Sequence, residues 1–162
     1  IDDRVLILGA GGKSGMLCAY EAMQRVGPEG RVVGMDRLES ARETLLDNKL
    51  VHAFFTADAR SPLEVLDKAL ALNEGREYDL VINVVNIDGT EMSSILPVRD
   101  EGLVYFFSMA TSFTRAALGA EGVGKDIVMM VGNGYTKGHA DFSIQLLRDS
   151  PALRQLFEAK YL

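Results

Sequence analysis

Two periods of apolar residues take turns along this chain. The run from Arg4 to Leu8 ("RVLIL") is apolar after its first residue, which predicts a strand buried on both faces. Met16, Ala19, Tyr20, Met23 and Val26 then recur at helical spacing, and Gly27-Pro28 stops that helix. A second strand is expected over Arg31 to Met35 and a second helix over Leu38 to Asn48. "VHAFFTA" predicts a third strand, followed by a helix opened by Ser61-Pro62. "YDLVINVV", "GLVYFFS" and "DIVMMVG" supply the fourth, fifth and sixth strands. Helices are expected from about Lys137 to Arg148 and from Pro151 to Lys160. Strand and helix alternate without repeat, low-complexity tract or linker. The pattern predicts an α/β fold: one doubly wound parallel sheet of about six strands, helices on both faces, over residues 1–162.

Composition narrows the chemistry. Seventeen basic and 23 acidic residues leave a net charge of −6 with no basic cluster, which argues against a nucleic-acid partner. No apolar run reaches the roughly 18 residues of a membrane span. A single cysteine, Cys18, excludes an internal disulfide and a multi-thiolate metal site, so no metal is expected and a reducing cytoplasm is the expected setting. The chain starts at Ile1 and enters a core strand three residues later. It is therefore expected to be the C-terminal portion of a longer, two-domain protein.

The turn after the first strand, "GAGGKSG", invites two readings. Gly12-Lys13-Ser14 ends like the loop that wraps a nucleoside triphosphate, but such a loop needs glycine where this chain has Ile7, inside the strand. The glycines instead suit a dinucleotide. Gly9 can make the tight turn, Gly11 or Gly12 allows close backbone approach to a pyrophosphate, and Gly15 lets helix and strand pack. Ser14 occupies the third position of G-x-G-x-x-G, so the spacing is better written over Gly9, Gly12 and Gly15. The helix N-terminus would face the phosphates. Lys13 either touches a phosphate or is simply solvated.

A companion carboxylate supports this Rossmann-type reading. Asp36 ends the second strand, 21 residues after Gly15, where it can accept both ribose hydroxyls and repel a 2′-phosphate. NAD is therefore the expected cofactor. Arg37 offsets part of that repulsion and leaves NADP open. Asp58, with Ala59 beside it, ends the third strand where an adenine amino group often lies, or caps the next helix. Asn86 sits at the mouth of the fourth strand. Ser108, Met109, Thr111, Ser112 and Thr114 follow the fifth, and Gly119, Gly122 and Gly124 are expected to make a flexible turn carrying Glu121. "GNGYTKGHAD" adds Asn133, Tyr135, Lys137 and His139 after the sixth strand.

"GAGGKSG", "NVVNIDGTEMSSIL", "FFSMATSFTRAALGAEGVGKD" and "GNGYTKGHAD" together resemble the L-erythro-3,5-diaminohexanoate dehydrogenases of anaerobic lysine fermentation. More distantly, "GAGGKSG" followed by "VVGMD" is similar to the cofactor domain of medium-chain dehydrogenases. The resemblance implies oxidation of the C3 amine of a diamino acid, with a general base near C3. Glu91, Glu121, Lys125, Tyr135, Lys137 and His139 are the candidates for base or charge partner, and Ser108 and Thr111 for carboxylate donors. It also implies a catalytic domain ahead of this one and a homo-oligomer in the full-length protein. A generic alcohol or quinone reductase domain, or a module that senses NAD(H) without catalysis, is the alternative. A sensor needs only the glycine turn and Asp36, and leaves the two hydroxyl- and glycine-rich loops unexplained.

Overall fold

The computed structural model of the chain describes residues 2–132 and 136–162. Six strands, β1 (Arg4–Leu8), β2 (Arg31–Asp36), β3 (Ala53–Thr56), β4 (Tyr78–Asn83), β5 (Val98–Phe106) and β6 (Val128–Val131), form one sheet in the order β3-β2-β1-β4-β5-β6. Every pairing is parallel. This is the doubly wound Rossmann order, in which the sequence moves outward from β1 in one direction and then in the other. Because all strands run the same way, Leu8, Asp36, Thr56, Asn83, Phe106 and Val131 all end at one edge.

Alternate residues of the strands feed two cores. Val5, Ile7, Val32 and Phe54 face helices α1 (Lys13–Arg25), α2 (Ala41–Asp47), α6 (His139–Asp149) and α7 (Pro151–Tyr161), through Met16, Ala19, Leu45, Leu146 and Leu153. Leu6, Leu8, Val33, Met35 and Phe55 face α3 (Pro62–Leu72), α4 (Glu91–Ile95) and α5 (Phe113–Gly122), through Val65, Ala69, Ile95, Ala116 and Ala120. Burial on both faces explains the unbroken apolar run of β1.

Three elements depart from the sequence expectation. The five-residue α4 is too short to show a helical period. β5 begins at Val98, because Val98 is fully buried and pairs with Tyr78; the exposed Arg99-Asp100-Glu101 at its irregular start hides the strand. The expected flexible turn at Gly119 and Gly122 is the last part of α5. Gly119 is there for close packing: a Cβ would stand 2.5 Å from Met92 Sδ. Only Gly124, with φ +67°, makes a turn.

The glycine turn is built by two contacts. Gly9 has φ +86°, and a Cβ on it would meet the Val85 and Val84 methyls at 3.1 and 3.2 Å. A Cβ on Gly15 would stand 2.1 Å from the Gly9 carbonyl oxygen and 2.6 Å from Ala10 Cα. That neighbour is backbone and cannot step aside. Gly15→Ala should therefore destabilise the fold by about 2–3 kcal/mol, in the range of overpacked cores. Urea unfolding checks this, and an unchanged midpoint would mean that α1 moves away from β1 without cost.

Candidate functional site

The site lies at the carboxyl edge of the sheet, where β1, β2, β4 and β5 deliver their loops. α1 starts there with Gly12 as N-cap and has no side-chain cap among the described residues. The first helical hydrogen bond runs from Met16 N–H to the Gly12 carbonyl. The N–H groups of Lys13, Ser14 and Gly15 thus belong to the first turn, which has no acceptor within the helix, and they carry its partial positive charge. At Gly12 the nearest atom to a built Cβ is 3.6 Å away, so this side of the turn is open.

Asp36 closes the other side. Its Oδ2 accepts the Gly11 N–H at 3.0 Å and its Oδ1 the Leu38 N–H at 3.2 Å. A side chain on Gly11 would strike Ala41 Cβ at 2.7 Å and Asp36 Oδ2 at 2.8 Å. The carboxylate and the turn are therefore built as one unit. Arg37 beside it is exposed. Asp58 accepts the Arg60 N–H at 2.9 Å, and the Arg60 guanidinium lies 3.4 Å away. That backbone bond first, then the Arg60 side chain, and Arg37 at longer range hold the Asp58 carboxyl below its usual value. Asp58 also accepts Ser61 N–H through its carbonyl, so it shapes the entry to α3 as well as facing the edge. Ala59 is buried, and its carbonyl accepts the Ser93 hydroxyl at 2.6 Å.

On the β4–β5 side, the Ser108 hydroxyl is buried, donates to Asn86 Oδ1 at 3.3 Å and accepts the Ala110 N–H at 3.1 Å. Met109 stands 84% exposed beside them, with Ile87, Phe107 and Phe113 also exposed. The mouth of the site is thus rimmed with apolar side chains.

Beneath this mouth is a buried polar network whose centre, Asn83, sequence pattern alone does not single out. Asn83, fully buried at the end of β4, donates to Thr90 Oγ1 at 2.9 Å and Ser94 Oγ at 2.8 Å, and accepts the Val85 N–H at 3.0 Å. Its signal was a lone amide closing an apolar strand. Glu91, only 3% exposed, accepts the Ser112 N–H at 2.7 Å, and Ser112 in turn caps α5 through Arg115 N. Glu91 therefore ties the loop after β5 to α4.

The remaining sequence candidates are scattered. Glu121 lies in the last turn of α5, which descends from the carboxyl edge toward the start of β6, so it sits at the opposite edge. Lys125 is at that edge too: its ammonium binds Glu77 at 2.5 Å and the carbonyls of Leu96 and Val98, around the starts of β4 and β5. Lys13 is turned onto the Tyr161 ring, 4.5 Å from its centroid. Lys137 lies in the turn before α6 and is exposed. His139 opens α6 with Nδ1 2.7 Å from the Thr136 carbonyl. Asn133 and Tyr135 lie outside the described residues.

Two cavities adjoin the edge. One of about 690 Å³ runs along the sheet face, lined by Leu17, Cys18, Leu80, Ile82, Tyr105 and Phe142. Its lining is mostly apolar, with Ser14, Glu21, Arg25 and His139 among the polar exceptions; Cys18 lies in it, and burial pushes its thiol upward. The other, about 630 Å³, opens between the glycine turn, α2 and α7 and contains Gly11, Gly12 and Asp36. The Asp36 carboxylate is at the second cavity with Ser40, Thr44 and Lys160, whereas Ser14 of the first helical turn lines the first. Among the described residues no group of His, Cys, Asp and Glu could hold a metal ion, and no helix is long and apolar enough to cross a membrane.

No protein-family model matches the chain. It is 61% identical over 160 residues to an L-erythro-3,5-diaminohexanoate dehydrogenase of Acetoanaerobium sticklandii, and 53% identical over 158 residues to one of Fusobacterium nucleatum. These matches cover 99% and 98% of the chain and 46% of each relative, so the chain spans about half the length of the curated relatives it matches. Among solved structures, a zinc-dependent alcohol dehydrogenase from Streptococcus pneumonia superposes with a TM-score of 0.67 at 17% identity, over 96% of this chain and 47% of that one. The chain thus shares its doubly wound fold with that solved structure, and resembles about half the length of the L-erythro-3,5-diaminohexanoate dehydrogenases.

Proposed function

We propose that this chain is the nicotinamide-cofactor portion of a dehydrogenase that deaminates L-erythro-3,5-diaminohexanoate to 5-amino-3-oxohexanoate and ammonia. The 61% identity to a relative of that name carries the substrate assignment. The glycine turn supports the cofactor: two positions where a Cβ would strike a neighbour within 3 Å, Gly11 and Gly15, flank the open first turn of α1 beside Asp36. These residues fit a dinucleotide. Lys13, Ser14 and Gly15 would offer backbone N–H groups to its phosphates, Asp36 would accept ribose hydroxyls, and Asp58 with Ala59 would border the adenine. Ser108, Met109 and Asn86 would border the nicotinamide end. NAD is the better fit to Asp36.

A bound nicotinamide accepts hydride; the chain's residues have to orient the amine and hold its proton. The C3 ammonium loses a proton, C3 gives up hydride, and water then replaces nitrogen at the resulting imine, releasing ammonia. Glu91 is committed to Ser112, and Glu121 and Lys125 are at the far edge, so among this chain's candidates the reading favours the residues after β6. There His139 opens α6 with its Nδ1 2.7 Å from the Thr136 carbonyl. The rest of the relatives' length supplies the opposite wall, over the apolar rim of Ile87, Phe107, Met109 and Phe113.

Asp36→Ser should weaken NAD by about 1–3 kcal/mol, as for a lost charged hydrogen bond, and raise the preference for NADP; titrating both cofactors measures it. An unchanged ratio removes Asp36 from the ribose site. The full-length protein should form NADH when given 3,5-diaminohexanoate, whereas a sensor would bind NADH and stay silent. The 162-residue chain alone should bind cofactor without turnover, since orientation between two walls accounts for roughly 7–11 kcal/mol of a barrier. Turnover by the chain at the full-length rate would refute the two-wall arrangement. Magnesium-dependent ATP hydrolysis lost in Lys13→Ala would refute the dinucleotide site altogether.

A further inference from the structure

The last turn of α7 reaches back to the glycine turn. The Lys160 ammonium donates to the Gly11 carbonyl at 2.6 Å, across 149 positions of sequence. Gly11 is thereby held at both polar groups, its N–H by Asp36 and its C=O by Lys160. The next residue, Tyr161, takes the Lys13 ammonium on its ring. Lys13 is thus held on the Tyr161 ring, while Lys160 is bonded to the turn itself and lines the same cavity as Asp36.

Lys160 and Asp36 share the cavity of about 630 Å³, together with Ser40 and Thr44 of the α2 entry. Ser40 precedes α2 without capping it through its side chain, so its hydroxyl can serve the cavity. Asp36 spreads its charge over two backbone N–H groups. The cavity therefore presents an ammonium from α7 and two hydroxyls from the α2 side, with a carboxylate already engaged by backbone N–H groups.

A carboxylate at the end of β2 alone would repel a 2′-phosphate. An ammonium in the same cavity reverses part of that repulsion, and two hydroxyls can donate to the phosphate oxygens. We propose that Lys160 is a cofactor-specificity residue: with Ser40 and Thr44 it lets the Asp36 cavity accept the 2′-phosphate of NADP. Cofactor choice is then set jointly by β2 and by a helix at the far end of the sequence. This rests on the dinucleotide reading above.

The test is a fluorescence titration of NADH and NADPH on the full-length protein carrying Lys160, Lys160→Met or Lys160→Arg, with melting temperatures alongside. Lys160→Met should shift the NADPH/NADH affinity ratio roughly tenfold toward NADH, the loss of one charge-assisted contact. Lys160→Arg should restore most of the ratio. A purely structural lysine would lower both affinities together with the melting temperature and leave the ratio alone; that result, or no change in either affinity, overturns the proposal. If the wild-type protein binds NADH but not NADPH, the specificity role is lost and the dinucleotide site stands. If it binds neither, the dinucleotide reading fails and the proposal with it.

Discussion

The contact between Gly15 and the Gly9 carbonyl governs the rest of the site. A helix can start this close to the end of a buried strand only if neither residue carries a side chain, because the space a Gly15 Cβ needs is filled by backbone. The close start aims the first turn of α1, with its unshared N–H groups, across the carboxyl edge of the sheet. It also puts Gly11 against Asp36, so that the carboxylate at the end of β2 is bonded into the turn it accompanies.

Parallel pairing does the remaining gathering. Strand ends separated by tens of residues meet at one edge because each crossover returns the chain to the same starting side. The loops they carry are then held by buried polar bonds. Asn83 fixes the β4 loop through Thr90 and Ser94, Ser93 reaches Ala59 after β3, and Glu91 fixes the loop after β5 through Ser112. Removing one such partner strands the others away from water at a cost of about 1–3 kcal/mol each. α4, only five residues long, is the hub of this network. Its role is to make the β3, β4 and β5 mouths a single rigid rim.

The two faces of the sheet are covered unequally. α3, α4 and α5 pack one side, while α1, α2, α6 and α7 cover the other and leave a mostly apolar groove along Leu80, Ile82 and Tyr105. α7 ends at the glycine turn, so the same helix that completes the core also borders the polar cavity. Core packing and the polar cavity thus share one element.

Much of this was legible in the residues themselves. The unbroken apolar strands, the 3.6-period of α1, Ser61-Pro62 before α3 and the glycine spacing determine the parallel Rossmann sheet and the place of its edge, because burial on both faces and glycine-only geometry leave direct marks in sequence. Asp36 was legible for the same reason, as a charge ending an apolar run. The short α4, the early start of β5 and the helical state of Gly119 were not, since five residues show no period and a packing glycine looks like a turn glycine. Nor could local pattern separate Glu91, sealed against Ser112, from an exposed carboxylate, or send Glu121 and Lys125 to the opposite edge. Only the fold decides which end of an element a residue occupies. The approach of Lys160 to Gly11 is the extreme case: it joins residues 149 positions apart, and nothing in either stretch records the other.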